Sequence, residues 1–351
     1  MSEGGGVERR VLEAVAERRE RVNAAIDEDL PAEEPERLYE ASRHLLEAGG
    51  KRLRPAVLLV AAEALADVEP GSAAYRSFPA LDDDVDAVDV MAAAVSVEAI
   101  HTFTLAHDDI MDDDDLRRGE PAVHREYDLA TAILAGDTLF AKGFEVMGRT
   151  GAAPERELEA LRRLAATCTR ICEGQELDVE FEQATEVLPE EYMEMVELKT
   201  AVLYGAAASI PAVLLGADEE TVTALHQYGV EAGTAFQIQD DVLDLTVPSD
   251  KLGKQRGSDL VEGKQTLITL HARQQGVDPD EIFVDGSVDE VDEAAIDAAV
   301  ERLREAGSIE FARERADELV ASSKDRLEVL PDNEARSLLA DVADYLVTRG
   351  Y

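Results

Sequence analysis

The sequence has no tryptophan, and aromatic residues make up only 5% of it. Sheets lean on aromatic and β-branched side chains, so this scarcity speaks against a β-rich fold. Alanine, leucine, valine, glutamate and arginine abound instead, and an all-α class is expected. Only two cysteines occur, Cys168 and Cys172. Too few for a disulfide framework and spaced one helical turn apart, they read as reduced core residues of a cytoplasmic protein rather than as a zinc site. No secretory signal opens the chain, whose first six residues are polar and glycine-rich. The longest apolar run, residues 201–216, contains Ser209 and Pro211. A buried helix is expected there and no transmembrane segment anywhere.

Lysine is the other shortage: seven, at positions 51, 142, 199, 251, 254, 264 and 324, leave 27 of the 34 basic residues as arginine. Against these stand 77 acidic residues, for a net charge of −43. Nucleic acid and anionic membrane surfaces are thereby excluded as partners, because both would be repelled. At 45% hydrophobic residues the chain is no disordered acidic tail either. A carboxylate-covered surface suited to very high salt remains, where screening falls to roughly 3 Å at 1 M ionic strength from about 8 Å at physiological strength. Lysines that survive on such a surface are informative.

At 351 residues the chain can bury a sizeable core. Helical periodicity covers residues 7–29, 38–48, 56–66, 89–112, 130–147, 155–181, 190–198, 201–215 and 219–245, then a helix from 267 and three amphipathic stretches to 347. Two acidic loops, about 67–88 and 277–293, interrupt them. With no repeat and no linker, a single domain over residues 1–351 is expected.

The chemistry is concentrated in Asp108-Asp109-Ile110-Met111-Asp112, at the end of an apolar helix. Asp108 and Asp112 lie one turn apart with Asp109 beside them, so three carboxylates project from one end of one face. Such oxygens suit hard divalent ions, and Mg²⁺ in particular completes its shell with water and substrate phosphate. Arg117 and Arg118 follow as phosphate clamps. The same spacing recurs at Asp240, Asp241 and Asp244, preceded by Phe236-Gln237. Facing each other, two such helices would hold metal ions with a diphosphate between them. In so acidic a chain the pattern also arises by chance, and Asp82-Asp83-Asp84-Val85-Asp86 in the first loop is such a case. It has neither the apolar helix nor the flanking basic residues.

Further anion-binding features surround the two motifs. Gly49-Gly50 should end one helix and Pro55 begin the next, placing Lys51 and Arg54 at a helix N-terminus that favours anions. His101 lies two turns before Asp108 on nearly the same face and is a candidate ligand for a second phosphate; His107 reads as structural. Lys199-Thr200 heads the apolar 201–215 run, and a glycine-rich basic loop carries Lys251, Lys254 and Lys264.

With these motifs in this order, the chain resembles the polyprenyl synthetase family, the trans-isoprenyl diphosphate synthases, over about residues 38–272. The resemblance implies an all-α bundle around a deep central cavity, normally a homodimer. It implies that Asp108, Asp109, Asp112, Asp240, Asp241 and Asp244 bind three Mg²⁺ on an allylic diphosphate. Arg117, Lys199, Lys254 and Lys264 match that diphosphate's ligands, Thr200 and Gln237 stand beside the reacting carbons, and Lys51, Arg54, His101 and Arg118 match the isopentenyl diphosphate site. Before Lys-Leu-Gly-Lys the family often has Gly-Asp, where this chain has Pro248-Ser249-Asp250.

Metal and cations would draw electrons from the leaving diphosphate; isopentenyl diphosphate would attack the allylic cation, and loss of a proton would lengthen the chain by five carbons. A terpene cyclase shares the first motif but would leave Lys51, Arg54 and Arg118 idle, and a catalytically silent partner subunit would not need both acidic motifs. Product length turns on Phe103 and Thr104. Thr104 is four residues before Asp108 and beneath it; Phe103 is five before, about 7.5 Å down the axis and displaced around it. One aromatic at five with a small residue at four resembles archaeal geranylgeranyl diphosphate synthases. The expected main product is therefore C20, built through farnesyl diphosphate, with C15 or C25 as the alternatives.

Overall fold

The computed structural model describes residues 4–71, 74–82, 84–184, 186–248, 255–284, 286 and 291–348. It is all-α, as expected: among these residues the β structure is one two-residue hairpin and a single bridge between Phe78 and Val88. The chain divides into two compact units. The first comprises the residues up to Cys168, Leu203–His226 and Leu327–Val342; the second comprises Thr169–Val202, Gln227–Arg326 and the residues from Ala343 on.

In the first unit, α1 (Gly4–Asp29), α2 (Glu36–Glu47) and α3 (Leu53–Ala66) precede α4 (Val90–Met111). From Val90 to Ile100 every residue of α4 is buried, because alanine, valine and methionine occupy all its faces. It packs on α1, α3 and α6 (Leu129–Met147), and the short α5 (Val123–Glu126) lies between α4 and α6 in sequence. Helix α1 is tied to α3 by a buried ion pair, Arg18 to Glu63 at 2.5 Å, and the Tyr75 hydroxyl donates to the same carboxylate at 2.5 Å. The chance acidic string has a partner of its own, since Asp82 and Asp84 both pair with Arg156; Asp83 lies outside the described residues.

Helix α7 (Pro154–Gln183) begins in the first unit and continues into the second. It carries both cysteines, of which Cys168 is buried but Cys172 is exposed. Cys172 is therefore not the core residue expected: the positions one turn apart diverge in environment. The second unit also contains α8 (Pro189–Val196) and a π-helical turn, Glu197–Ala201, which runs on into α9 (Val202–Leu215), a helix that belongs to the first unit from Leu203 on. The buried apolar helix expected at 201–215 is thus present. The stretches Val90–Met111 and Pro189–Leu215 are long and apolar enough to cross a membrane, but 78% and 83% of their apolar windows are buried within the protein, as in core helices.

Helix α10 (Glu219–Thr246) carries the second motif into the second unit, followed by α11 (Ser258–Val261), α12 (Leu267–Gln274), α13 (Glu293–Glu305) and α14 (Ser308–Arg326). Within that unit α12 packs on α8, α13 and α14, and the His271 ring stacks on Phe311 at 4.1 Å. Helix α15 (Glu334–Thr348) closes the chain.

Candidate active site

In the first unit, the end of α4 is shaped by backbone geometry. Asp112 caps the helix, Asp113 adopts the left-handed region with φ 55°, and the Asp114 amide donates back to the Asp109 carbonyl at 3.0 Å. A residue other than glycine there costs about 1–2 kcal/mol. The chain then turns through the hairpin β1 (Leu116–Arg117) and β2 (Glu120–Pro121). Arg118 and Gly119 form its two-residue loop, with φ 57° and 84°, as a type I′ turn requires.

That hairpin returns Arg117 to the aspartates. Its Nε donates to Asp109 Oδ1 at 2.5 Å and Nη2 reaches Asp114 at 2.9 Å, with Asp108 3.8 Å away. Asp109 is wholly buried, and burial pushes its carboxyl above the usual range even with Arg117 beside it. Its Oδ2 is buried without a hydrogen-bond donor. A hard cation would satisfy such an oxygen, and a donor set made of carboxylates suits Mg²⁺. Among the described residues no three acidic, histidine or cysteine groups converge to hold an ion alone.

Arg118 turns the other way, to the loop between α2 and α3, and donates to the Gly49 carbonyl. Gly50, at a φ of 127° that L side chains rarely adopt, lies directly against the Arg118 guanidinium. Arg52, not singled out from sequence, anchors this loop: it is buried in the left-handed region with φ 52° and pairs with Glu98 of α4 at 2.5 Å. The loop so held presents Lys51, which is exposed, and Arg54 in the first turn of α3. Arg54 lies over the Tyr204 ring at 4.3 Å and 3.1 Å from His101 Nε2. Burial, reinforced by Arg54 and Arg118, holds His101 well below the ordinary imidazole range and hence neutral. The structure therefore brings Arg54 and His101 together and places Arg118, from the hairpin, against the loop that precedes Arg54. His107 Nε2 lies 3.1 Å from the Ile133 carbonyl.

Phe103 and Thr104 lie on different faces of α4. Thr104 donates to the His101 carbonyl at 2.7 Å and stays below Asp108. Phe103 is turned toward α6, edge-on to Phe140 at 5.2 Å and to His107 at 5.1 Å.

In the second unit, Lys199 and Thr200 sit in the π-helical turn, a local widening common at functional positions. It packs on α7 at Gly174, where a Cβ would meet the Lys199 backbone nitrogen at 2.2 Å. Lys199 Nζ lies 2.5 Å from Asp178 of α7, and Thr200 Oγ1 donates to Gln237 Oε1 at 3.3 Å. Of the second motif, Asp240 is half-buried while Asp241 and Asp244 are buried. Asp241 accepts from the Tyr192 hydroxyl and, at 3.1 Å, from Gln237 Nε2. Asp244 accepts from Ser258 Oγ at 2.9 Å and the Asp259 amide at 3.3 Å, which ties α10 to the loop that follows. At that loop's end Lys264 pairs with Glu262 at 2.8 Å, and Gln265 caps α7 through the Phe181 and Ala184 carbonyls, both at 2.9 Å. Lys251 and Lys254 lie outside the described residues. Sequence reasoning missed Arg52, Asp178, Tyr192 and Gln265.

A family model described as polyprenyl synthetase matches residues 35–303. A geranylfarnesyl diphosphate synthase of Natronomonas pharaonis is 68% identical over 342 residues, 97% of this chain and 98% of that protein. The crystal structure of a geranylgeranyl pyrophosphate synthetase from Geoglobus acetivorans superposes with a TM-score of 0.84 at 42% identity, covering 95% of this chain and 99% of that one. That of a polyprenyl synthase from Caulobacter crescentus, complexed with calcium and isoprenyl diphosphate, gives 0.79 at 31% identity, with coverage of 96% and 98%.

Proposed function

This chain belongs to the polyprenyl synthetase family and is a trans-prenyl diphosphate synthase; we propose that it condenses allylic diphosphates with isopentenyl diphosphate head to tail, with geranylfarnesyl diphosphate (C25) as its main product. The match to a named C25 synthase at 68% identity, nearly end to end, carries this reading and favours it over the C20 product expected from Phe103. Side-chain direction supports it. Phe103 is about 140° around the helix from Asp108, and its ring is taken up by Phe140 and His107 of the same unit. The second reading, C20, rests on the Geoglobus relative.

In this reading Asp108, Asp109, Asp112, Asp240, Asp241 and Asp244 hold Mg²⁺ on the allylic diphosphate. When bound, the metal neutralises charge as the diphosphate leaves. Arg117, Lys199, Lys254 and Lys264 bind the same group. Arg117 and Lys199 are now held by Asp109 and Asp178, contacts a diphosphate would replace. Lys51, Arg54, His101 and Arg118 bind isopentenyl diphosphate, and neutral His101 can offer one N–H to its phosphate. Thr200 and Gln237 turn hydroxyl and amide dipoles toward the reacting carbons, so no nucleophile is needed.

The family match runs through both units, which supports one catalytic domain. Exposed Leu129, Ile133, Leu134 and Phe140 along α6 support a homodimer, since an apolar stripe on so acidic a protein needs a cover. The two thiols agree with a cytoplasmic setting. Incubating the protein with Mg²⁺, farnesyl diphosphate and labelled isopentenyl diphosphate tests the reading: C20 and then C25 alcohols after dephosphorylation support it. A cyclised hydrocarbon would point to a terpene cyclase, and no product to a silent subunit.

A further inference from the structure

Gln237 is placed beside the reacting carbons in the reading above, yet a glutamine amide can be turned end for end, exchanging donor for acceptor, unless its neighbours differ. Here they differ. Nε2 donates to Asp241 Oδ1 at 3.1 Å, and Oε1 accepts from Thr200 Oγ1 at 3.3 Å. The orientation therefore depends on a carboxylate that can only accept. That carboxylate is 6% exposed, and its other oxygen accepts from the hydroxyl of Tyr192, itself 2% exposed on α8. A hydrogen-bonded series runs through the second unit from Tyr192 to Asp241, Gln237 and Thr200. A carboxylate offers about four lone-pair sites, so these two donors leave room for a metal ion.

We propose that Tyr192 is a positioning residue for prenyl transfer: by holding Asp241 it fixes the Gln237 amide with its oxygen toward Thr200. The proposal rests on the placing of Gln237 at the reacting carbons. Its role is to set a dipole rather than to touch substrate, so its loss should lower kcat and leave the binding of both diphosphates intact.

Tyr192→Phe keeps the buried ring and removes only the hydroxyl. One lost hydrogen bond of this kind corresponds to roughly a tenfold change. The variant should have about tenfold lower kcat with KM for both substrates within about twofold. In a Gln237→Leu background the same change should alter kcat by less than about twofold, because there is no amide left to orient. A readout without metal or substrate complements this: with ¹⁵N-labelled glutamine side chains, the Gln237 NH₂ should exchange slowly in the parent protein and at least about tenfold faster in Tyr192→Phe. Equal losses of kcat in both backgrounds, or unchanged exchange, would overturn the proposal. If Gln237→Leu alone is fully active, the placing of Gln237 fails instead and this inference with it.

Discussion

Arg52 and Glu98, 46 positions apart, meet inside the first unit at 2.5 Å with 4% and 1% of their surfaces exposed. The pair fastens the loop bearing Lys51 and Arg54 to the helix bearing His101 and the first three aspartates. Removing one partner strands a buried charge, at a cost of about 3–5 kcal/mol. Glu98→Ala should therefore lower the unfolding free energy by about that amount in denaturant titration. Where it still folds, its KM for isopentenyl diphosphate should rise while that for the allylic substrate changes little.

The aspartate assignments can be tested one from each motif. Asp108→Ala and Asp240→Ala should each lower kcat by about 10²- to 10³-fold, the loss typical of one preorganised electrostatic stabiliser. Both proteins should remain folded, because a chain at −43 loses repulsion with each carboxylate removed. An active Asp108→Ala enzyme would refute the assignment.

Salt should matter throughout. Acidic side chains outnumber basic ones by 77 to 34, and at low ionic strength their repulsion extends over about 8 Å or more. Activity and melting temperature should both fall steeply on dialysis from molar salt into dilute buffer. Full activity in dilute buffer would show that the surface charge serves another end.

Product length should respond to what lies beneath Asp108 on α4. Phe103→Ala removes a ring turned toward Phe140, away from Asp108, and should leave product length unchanged. Thr104→Phe puts a ring beneath Asp108 and should shift products shorter. Chromatography of the dephosphorylated products reads both; longer products from Phe103→Ala, or unchanged ones from Thr104→Phe, would contradict this.

Much of this was legible in the sequence for identifiable reasons. Apolar spacing marked α4 as central and marked the 201–215 run as buried, and Gly49-Gly50 and Pro55 marked the ends of α2 and the start of α3. Local signals of this kind act within one or two turns. Arg52 was illegible because its role depends on Glu98, a partner brought near only by folding; the one hint was a glutamate inside an apolar helix. Asp178 and Tyr192 were missed likewise, each acting on a residue 21 and 49 positions away. Counting along α4 expected Phe103 to be the floor, but its rotation toward Phe140 depends on α6 packing, which a count along one helix cannot supply.

The most direct test supplies geranylgeranyl diphosphate as the sole allylic substrate, with Mg²⁺ and labelled isopentenyl diphosphate in molar salt. A synthase that stops at C20 cannot extend this starter, whereas one that stops at C25 adds a single unit. The expected result is one labelled product of 25 carbons, formed at a rate comparable to that with farnesyl diphosphate; no label incorporated from the C20 starter, with C20 accumulating from farnesyl diphosphate, would contradict it.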